Sequence, residues 1–187
     1  MFNKFFIALF IFINFSLVLL ANEKELIVSR LNSIDNITFN FEQIINKKKE
    51  VGTCVLSFDN KLSCDYEDSV QKRIIINSKT LIIYQKRYDK IYFYPIANSP
   101  FVKIFNKKNL ISLINKSDYK LNNYINLTIV EKNKEKIVIF FNKDNYDLVG
   151  WRVIDQLQNV INFSIKITNE NSEINPEIFK TPQLIKK

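Results

Sequence analysis

The apolar positions change their period early in the chain. In "NEKELIVSRLNSI", Leu26, Ile27, Leu31 and Ile34 recur three and four residues apart, which predicts a short amphipathic helix. From Ile37 onward, in "ITFNFEQI", apolar and polar residues alternate, which is typical of a strand with one buried face. A short helix therefore leads into the first strand.

Five further segments continue the strand pattern. They are "GTCVLSF", "KLSCDYE", "QKRIIIN", "TLIIYQKR" and "KIYFYPI", and short polar turns such as "DNK", "EDS" and "RYD" separate them. Successive strands joined by short turns usually pair with their neighbours. The first half of the chain is thus predicted to be an antiparallel meander of six strands.

The alternation stops in "NSPFVKIFNKKNLISLINKSD". Ser99 can cap one short helix here, and Asn109 can cap a second. The apolar residues that these helices would turn toward the sheet are Phe101, Ile104, Phe105 and Leu110. Strand-like runs then resume in "YINLTIVEKN", "KIVIFFNKD", "GWRVIDQ" and "VINFSIKITN".

About ten strands with two helical patches predict a mainly β chain with short helices, of the α+β class. A twisted sheet of this size tends to curl, so we expect an incomplete, curved antiparallel β-barrel with a helical lid. Runs such as "LIIY" and "IYFY" are apolar on both faces, and the helices can cover only one. The pattern leaves two interpretations open: the helices fill the concave face as ordinary core, or they form a removable lid over an apolar cavity.

The first 21 residues have the features of a signal peptide. A single Lys4 precedes an almost uninterrupted apolar run, and the small residue Ala21 closes it. A retained membrane anchor is the competing interpretation, but the run falls short of the roughly 20 residues that span a bilayer. We expect residues 1–21 to be cleaved and residues 22–187 to form a single exported domain. Since no cysteine lies near the end of the apolar run, the chain is not expected to be a lipoprotein itself.

Composition removes several classes of function. The chain contains no histidine, so Ser-His-Asp and Cys-His catalysis are excluded. Carboxylate pairs such as Glu67 with Asp68, or Asp144 with Asp147, lie in polar, turn-like segments and are expected to be surface residues. We therefore predict neither an enzyme nor a site for a metal or a cofactor.

The chain carries a net charge of +8, and removal of Lys4 with the signal peptide leaves +7. The charge is explained either by lysines used as general surface residues or by attraction to anionic lipids and acidic partners. Nucleic-acid binding is not expected of an exported chain.

Both cysteines lie in "GTCVLSFDNKLSCDYED", where a metal site, a redox pair, a reactive nucleophile and a structural disulfide are all conceivable. The spacing is too wide for a metal knuckle or a thiol oxidoreductase motif. A hairpin that turns at "DNK" places Cys54 directly opposite Cys64, within the distance that a disulfide bridges. In an oxidising compartment this predicts a Cys54–Cys64 disulfide.

Several short patterns, in order, resemble one family. The helix and strand of "LNSIDNITFNFEQ" end in F-x-Q, with Phe41 and Gln43, and Gly52 and Tyr66 follow at the family's positions. In the C-terminal part of the chain, eight residues are spaced at the intervals that the family shows: Trp151, Asp155, Asn159, Phe163, Asn171, Ile174, Phe179 and Pro182. In these respects the chain resembles the LolA family, periplasmic carriers of outer-membrane lipoproteins. It departs from the family at Phe58 and Asp59, where a basic residue and a proline are common, so Lys61 is the candidate substitute for the latch of the lid.

The resemblance implies a periplasmic chaperone. Such a protein accepts acylated lipoproteins from an inner-membrane lipoprotein-releasing ABC transporter, shields their acyl chains and delivers them to an outer-membrane receptor. As a diffusing shuttle it would be a monomer. The alternative is another periplasmic protein of the same fold that binds lipids or acyl chains or senses the envelope.

The expected site follows from that implication. The residues expected to line an acyl-chain cavity are Phe39, Phe41, Leu56, Tyr66, Tyr84, Phe93, Trp151 and Phe163. The lid would add Phe101, Ile104, Phe105 and Leu110. For each of these, ordinary core packing is the competing role.

Overall fold

The structure is a computed structural model. It describes residues 22–78, 80–96, 104–130, 136–154 and 159–184. The expected signal peptide, the expected cap Ser99, Phe101 of the expected lid and Asp155 of the tail pattern lie outside these residues. Within the described ranges, no helix has both the length and the apolarity needed to cross a membrane.

Eleven strands in the described residues form one antiparallel sheet, curved and not closed, which is an incomplete barrel. They are β1 (Asn36–Ile45), β2 (Lys48–Ser57), β3 (Lys61–Tyr66), β4 (Lys72–Asn77), β5 (Thr80–Gln85), β6 (Lys90–Pro95), β7 (Asp118–Leu121), β8 (Ile125–Val130), β9 (Lys136–Phe141), β10 (Leu148–Ile154) and β11 (Val160–Glu170). The ten predicted strands are all present. The eleventh, β7, has the polar sequence "DYKL", which gave no strand signal.

The strand order is β6-β5-β4-β3-β2-β1-β11-β10-β9-β8-β7. β1 therefore lies in the middle, between β2 and the last strand of the chain, and Ile37 pairs with Leu56 on one side and Glu170 on the other. The first six strands form one wing of the sheet and the last five form the other, so β6 and β7 are its two edges.

In the described part of the chain the sheet is accompanied by the helices α1 (Glu23–Asn32) and α2 (Lys107–Lys116) and by short 3-10 turns, among them Lys86–Tyr88 and Pro176–Phe179. Asn22 caps α1 by accepting a hydrogen bond from the backbone N–H of Lys24 at 3.2 Å.

The prediction that Asn109 caps the second helix is wrong. The cap is Asn106, whose side chain accepts from the N–H of Asn109 at 3.0 Å, and the helix begins three residues earlier than expected. "NKKN" offers two asparagines that can cap, and with the first of them as cap the N–H of Leu110 donates to the carbonyl of Asn106 at 2.8 Å.

The main core lies between the two helices and one face of the sheet. On β1 this face carries Ile37, Phe39 and Phe41, and the strand register extends it across both wings. The helical residues buried against it are Ile27 and Leu31 of α1 and Leu110 and Ile114 of α2. We call this face, which the helices cover, the concave face.

A second, smaller group is buried on the opposite, convex face. Ile75 of β4 and Ile82 of β5 are buried there, outside the main cluster. The 3-10 turn Pro176–Phe179 packs on β3 and β4, with Phe179 buried and its carbonyl accepting from Asn77 Nδ2 at 3.3 Å. The apolar strand β4 is thus covered on both faces, by the main core on one side and by the C-terminal segment on the other, whereas the rings of β6 stay exposed.

Candidate functional site

A row of aromatic rings in contact crosses the concave face; Phe41, Phe163 and Trp151 are stacked, and Tyr66 meets Phe41 edge-on. It runs from Tyr66 on β3 through Phe41 on β1 and Phe163 on β11 to Trp151 on β10. The ring centroids are 4.8, 5.0 and 4.4 Å apart along the row. Contacts of this kind stabilise by about 0.5–1.5 kcal/mol beyond the area they bury. We call these four residues the aromatic row.

Gly52 makes the row continuous. It lies on β2 between Phe41 and Tyr66, paired with both in the sheet. A Cβ here would come within 2.1 Å of the backbone oxygen of Asp65 and 2.8 Å of Cε1 of Phe41. Because Gly52 has no side chain, the two rings meet above it.

One end of the row is polar. The Tyr66 hydroxyl donates to Oε1 of Gln43 at 2.9 Å, and the Lys72 ammonium lies 3.9 Å from the centroid of the Tyr66 ring. Lys72 also pairs with Glu50 at 3.0 Å. Burial raises the pKa of Tyr66 well above its ordinary value, so the hydroxyl keeps its proton and remains a donor. The F-x-Q pattern thus places an aromatic ring within the row and an acceptor at its end.

Residues 104–116, which we call the lid segment, cover the aromatic row. Ile104, Phe105 and Leu110 are fully buried in the main core. The Phe105 ring stands edge-on to Trp151 with the centroids 6.0 Å apart. The segment therefore supplies an apolar cover directly over the row.

The backbone of the β2–β3 hairpin holds the start of the lid segment. The N–H of Asn60 donates to the carbonyl of Phe105 at 3.1 Å, and the N–H of Lys107 donates to the carbonyl of Phe58 at 3.0 Å. At its other end, Lys24 of α1 donates to the carbonyl of Ser117, just beyond α2, at 2.8 Å. The lid segment is thus held at its start by backbone hydrogen bonds from and to the hairpin, and just beyond its end by the side-chain ammonium of Lys24.

Among the described residues, Lys61 makes no hydrogen bond or ion pair with the lid segment. Its ammonium pairs with Asp59 within the hairpin tip, and Lys107 of the lid segment pairs with Asp35 at 2.7 Å. Burial opposes the charge of Asp59, but hydrogen bonds, chiefly from Lys61, hold its pKa below the ordinary value. The link between hairpin and lid needs no particular side chain at position 58 or 59, which is compatible with this chain's departure from the family pattern.

The predicted Cys54–Cys64 disulfide is confirmed. The two residues are paired across β2 and β3, as predicted from a hairpin that turns at "DNK", and both are buried on the concave face. The bond joins the two strands whose tip holds the lid segment, so it fixes the hairpin beneath the lid.

The structure brings together most of the expected lining residues and separates two of them. The six that lie buried on the concave face are Phe39, Phe41, Leu56, Tyr66, Trp151 and Phe163. Tyr84 and Phe93 lie on the convex face, and for these two the prediction is wrong. The register Leu62–Ile76–Leu81–Tyr94 puts the neighbouring residues of β5 and β6 on the concave side instead.

The far wing contributes concave residues that were not singled out from the sequence. They include Leu127 on β8, Ile137, Ile139 and Phe141 on β9, and Leu148 on β10. The alternation in "INLTIV" and "KIVIFF" carries this signal, since every second residue there is apolar.

The concave face is suited to binding apolar groups. Its buried side chains are aliphatic or aromatic, apart from the disulfide and the Tyr66 hydroxyl. Among the described residues, no group of three or more acidic, cysteine or histidine side chains could hold a metal ion. The interactions this face offers are burial and dispersion.

Comparison with known proteins adds a family match and distant structural likenesses. The family described as "Outer membrane lipoprotein carrier protein LolA" matches residues 32–182. No curated protein matches the chain in sequence. An uncharacterized conserved protein from Thermus thermophilus is similar with a TM-score of 0.54 at 7% identity, over 87% of this chain and 96% of that one.

Two more solved structures are less similar. The complex of MucA and MucB from Pseudomonas aeruginosa gives a TM-score of 0.49 at 12% identity, over 88% of this chain and 64% of that one. A putative outer membrane lipoprotein-sorting protein domain from Vibrio parahaemolyticus gives 0.47 at 11% identity, over 84% and 97%. Of these three, the Thermus protein has a TM-score high enough to support the fold.

Proposed function

Since the chain belongs to the LolA family, which matches it over residues 32–182, we propose that it is a periplasmic chaperone for acylated lipoproteins. It accepts them from an inner-membrane lipoprotein-releasing ABC transporter and delivers them to an outer-membrane receptor. The acyl chains lie on the aromatic row, in the place that the lid segment fills when the carrier is empty. The carrier makes and breaks no covalent bonds and works as a monomer.

The observation that carries the proposal is the kind of contact that the lid segment makes. Its apolar side chains are buried against the aromatic row, but its backbone hydrogen bonds to the sheet lie at the hairpin tip, from Asn60 and to Phe58. The sheet beneath is held separately, by continuous strand pairing from β6 to β7. The lid segment can therefore leave without breaking any pair between the eleven strands, and only the isolated bridge of Asp59 with Asn106 at the hairpin tip has to open.

The energetics favour an exchange of one apolar cover for another. Each buried methylene contributes about 0.8 kcal/mol, so a lipoprotein with several long acyl chains is held in its membrane by tens of kcal/mol. A carrier must therefore bury the acyl chains against its own apolar surface, so that most of this stabilisation is kept when they leave the membrane. Acyl chains that replace Phe105 and Leu110 on the row keep that surface buried, so the main cost is the opening of the lid segment.

The proposal is tested by release of an acylated lipoprotein from spheroplasts into solution by the mature chain. We expect a soluble complex in which the lipoprotein is chemically unchanged by mass spectrometry. The non-acylated lipoprotein is the control and should give no complex. Trp151→Asp places a charge in the row and should abolish release. The control Val130→Asp, at an exposed position on the opposite face of β8, should not affect it.

Failure of the folded mature chain to keep the acylated lipoprotein in solution would contradict the proposal. Binding of free phospholipid without binding of lipoprotein would instead favour a lipid-binding or envelope-sensing protein of the same fold.

A further inference from the structure

The edge strand β6 exposes aromatic side chains on both of its faces. Phe93 points to the convex side and is 58% exposed, whereas Tyr92 and Tyr94 point to the concave side and are 40% and 47% exposed. Two strands further in, Ile75 and Ile76 of β4 are buried on the two faces. The edge of this wing therefore extends past both covers of the sheet.

Basic residues lie at one end of this aromatic strand. Lys86 and Arg87 form the turn between β5 and β6, Lys90 begins β6, and all three are exposed. Tyr88 in the same turn is also exposed. At about 3.3 Å per residue, Lys90 lies roughly 7 Å from Tyr92, which points to the same face of β6, so the charges and the rings meet along this edge of the sheet.

Asp89, the one acidic residue of this segment, is engaged within the protein. Its carboxylate accepts a hydrogen bond from the Tyr84 hydroxyl at 3.3 Å. The turn is also held in place from outside, because Arg87 donates to the carbonyl of Ser69 at 3.2 Å and the N–H of Lys86 donates to that of Gln71 at 3.3 Å. The positive surface is therefore carried by a fixed turn.

This combination matches the surface of an anionic bilayer. Tyrosine and other amphipathic rings favour the level of the lipid headgroups, and lysine and arginine are attracted to negatively charged lipids. We propose that residues 86–94 are a docking surface for a membrane that contains anionic phospholipid. It is separate from the acyl-chain face, since Phe93 and the turn lie outside the lid-covered core, and it positions the protein at a membrane without requiring any cargo.

Addition of a peptide strand to the same edge is less well supported. Pro95 at the end of β6 has no N–H to offer a new strand, and exposed lysine on an edge strand disfavours pairing. Aromatic residues on both faces also suit insertion among headgroups, whereas an added strand would cover neither face.

The test is co-sedimentation of the mature chain with vesicles free of protein. We expect binding to vesicles of phosphatidylcholine with phosphatidylglycerol, none to phosphatidylcholine alone, and weaker binding as salt is raised. Lys86→Gln, Arg87→Gln and Lys90→Gln should each weaken binding about fivefold. Phe93→Ser should weaken it at every salt concentration.

The matched control is the other edge strand. Tyr119→Ser and Leu121→Ser on β7 remove side chains of similar exposure, 40% and 53%, and should leave vesicle binding unchanged. The inference is overturned if the mature chain does not bind anionic vesicles, or if the β7 variants lose as much vesicle binding as the β6 variants. It is also overturned if the β6 variants change only self-association. Lipoprotein release, measured separately on the same variants, distinguishes a failure of this surface from a failure of the carrier function.

Discussion

Phe105→Ala separates a removable lid from a permanent core plug. Phe105 is fully buried and contacts Trp151, so in a core that cannot rearrange its truncation should cost about 3–5 kcal/mol of unfolding free energy. If the lid segment opens as a unit, the loss of unfolding free energy cannot exceed the free energy of opening. A variant that is destabilised by more than this amount adopts the open state, in which residue 105 no longer packs in the core. We expect a loss below about 2 kcal/mol.

The assay uses the only tryptophan of the chain. Trp151 fluorescence reports on the cover supplied by Phe105, and far-UV circular dichroism reports on the sheet. In Phe105→Ala we expect red-shifted emission and stronger acrylamide quenching before any denaturant is added, with an unchanged circular dichroism spectrum. Urea unfolding then gives the loss of stability from both signals.

Ile75→Ala is the control. Ile75 is buried on the convex face, so opening of the lid segment does not remove the cavity that this substitution leaves. The variant should lose about 2–5 kcal/mol of unfolding free energy, in one transition that both probes report equally. If Phe105→Ala behaves in the same way, with a loss of about 3–5 kcal/mol and coincident transitions, the lid segment is ordinary core and the reasoning for a carrier fails.

Three further predictions concern stability. Replacing Cys54 and Cys64 together by alanine should lower the unfolding free energy in urea by about 3 kcal/mol, since the bond spans a sequence separation of 10; an unchanged midpoint would contradict this. Gly52→Ala should cost about 1–3 kcal/mol in thermal unfolding, because its Cβ would meet the backbone oxygen of Asp65, and a neutral effect would show that β2 and β3 can move apart. Burial opposes the charge of Glu50, but hydrogen bonds from two lysines outweigh it and hold its pKa below the ordinary value. The folded-state pKa is thus the lower one, and the stabilisation is present above the unfolded pKa of about 4.3 and lost as the pH falls through the folded value. Glu50→Gln should therefore flatten the loss of stability on acidification, which urea titrations at several pH values will measure.

The sequence was most informative where one face of a strand is polar. The hairpin around "DNK" has a short turn and clear alternation, so the pairing of Cys54 with Cys64 could be derived residue by residue. The helix from Glu23 and the buried residues Phe39 and Phe41 follow from equally simple periods.

It was least informative where both faces are apolar. In "LIIY" and "IYFY" the pattern does not distinguish the faces, and only pairing with β4 shows that Tyr84 and Phe93 point away from the lid. The short strand β7 was missed because its "DYKL" sequence is exposed along its whole length and needs no apolar alternation. Aromatic content alone could not separate the residues of the core from those of the exposed edge.

The central position of β1 has a consequence for how this chain reaches its native state. β1 is completed only when β11 pairs with it, from Ile37 opposite Glu170 to Ile45 opposite Ile161. A polypeptide that leaves a translocation pore with its N-terminal end first must present almost its whole length before that pair can form. Such non-local pairing is slow and leaves an unpaired apolar strand edge exposed to aggregation. The hairpin of Cys54 and Cys64 needs only neighbouring residues, so its oxidation can precede the joining of the two wings and give β1 a fixed partner strand while its other edge waits for β11.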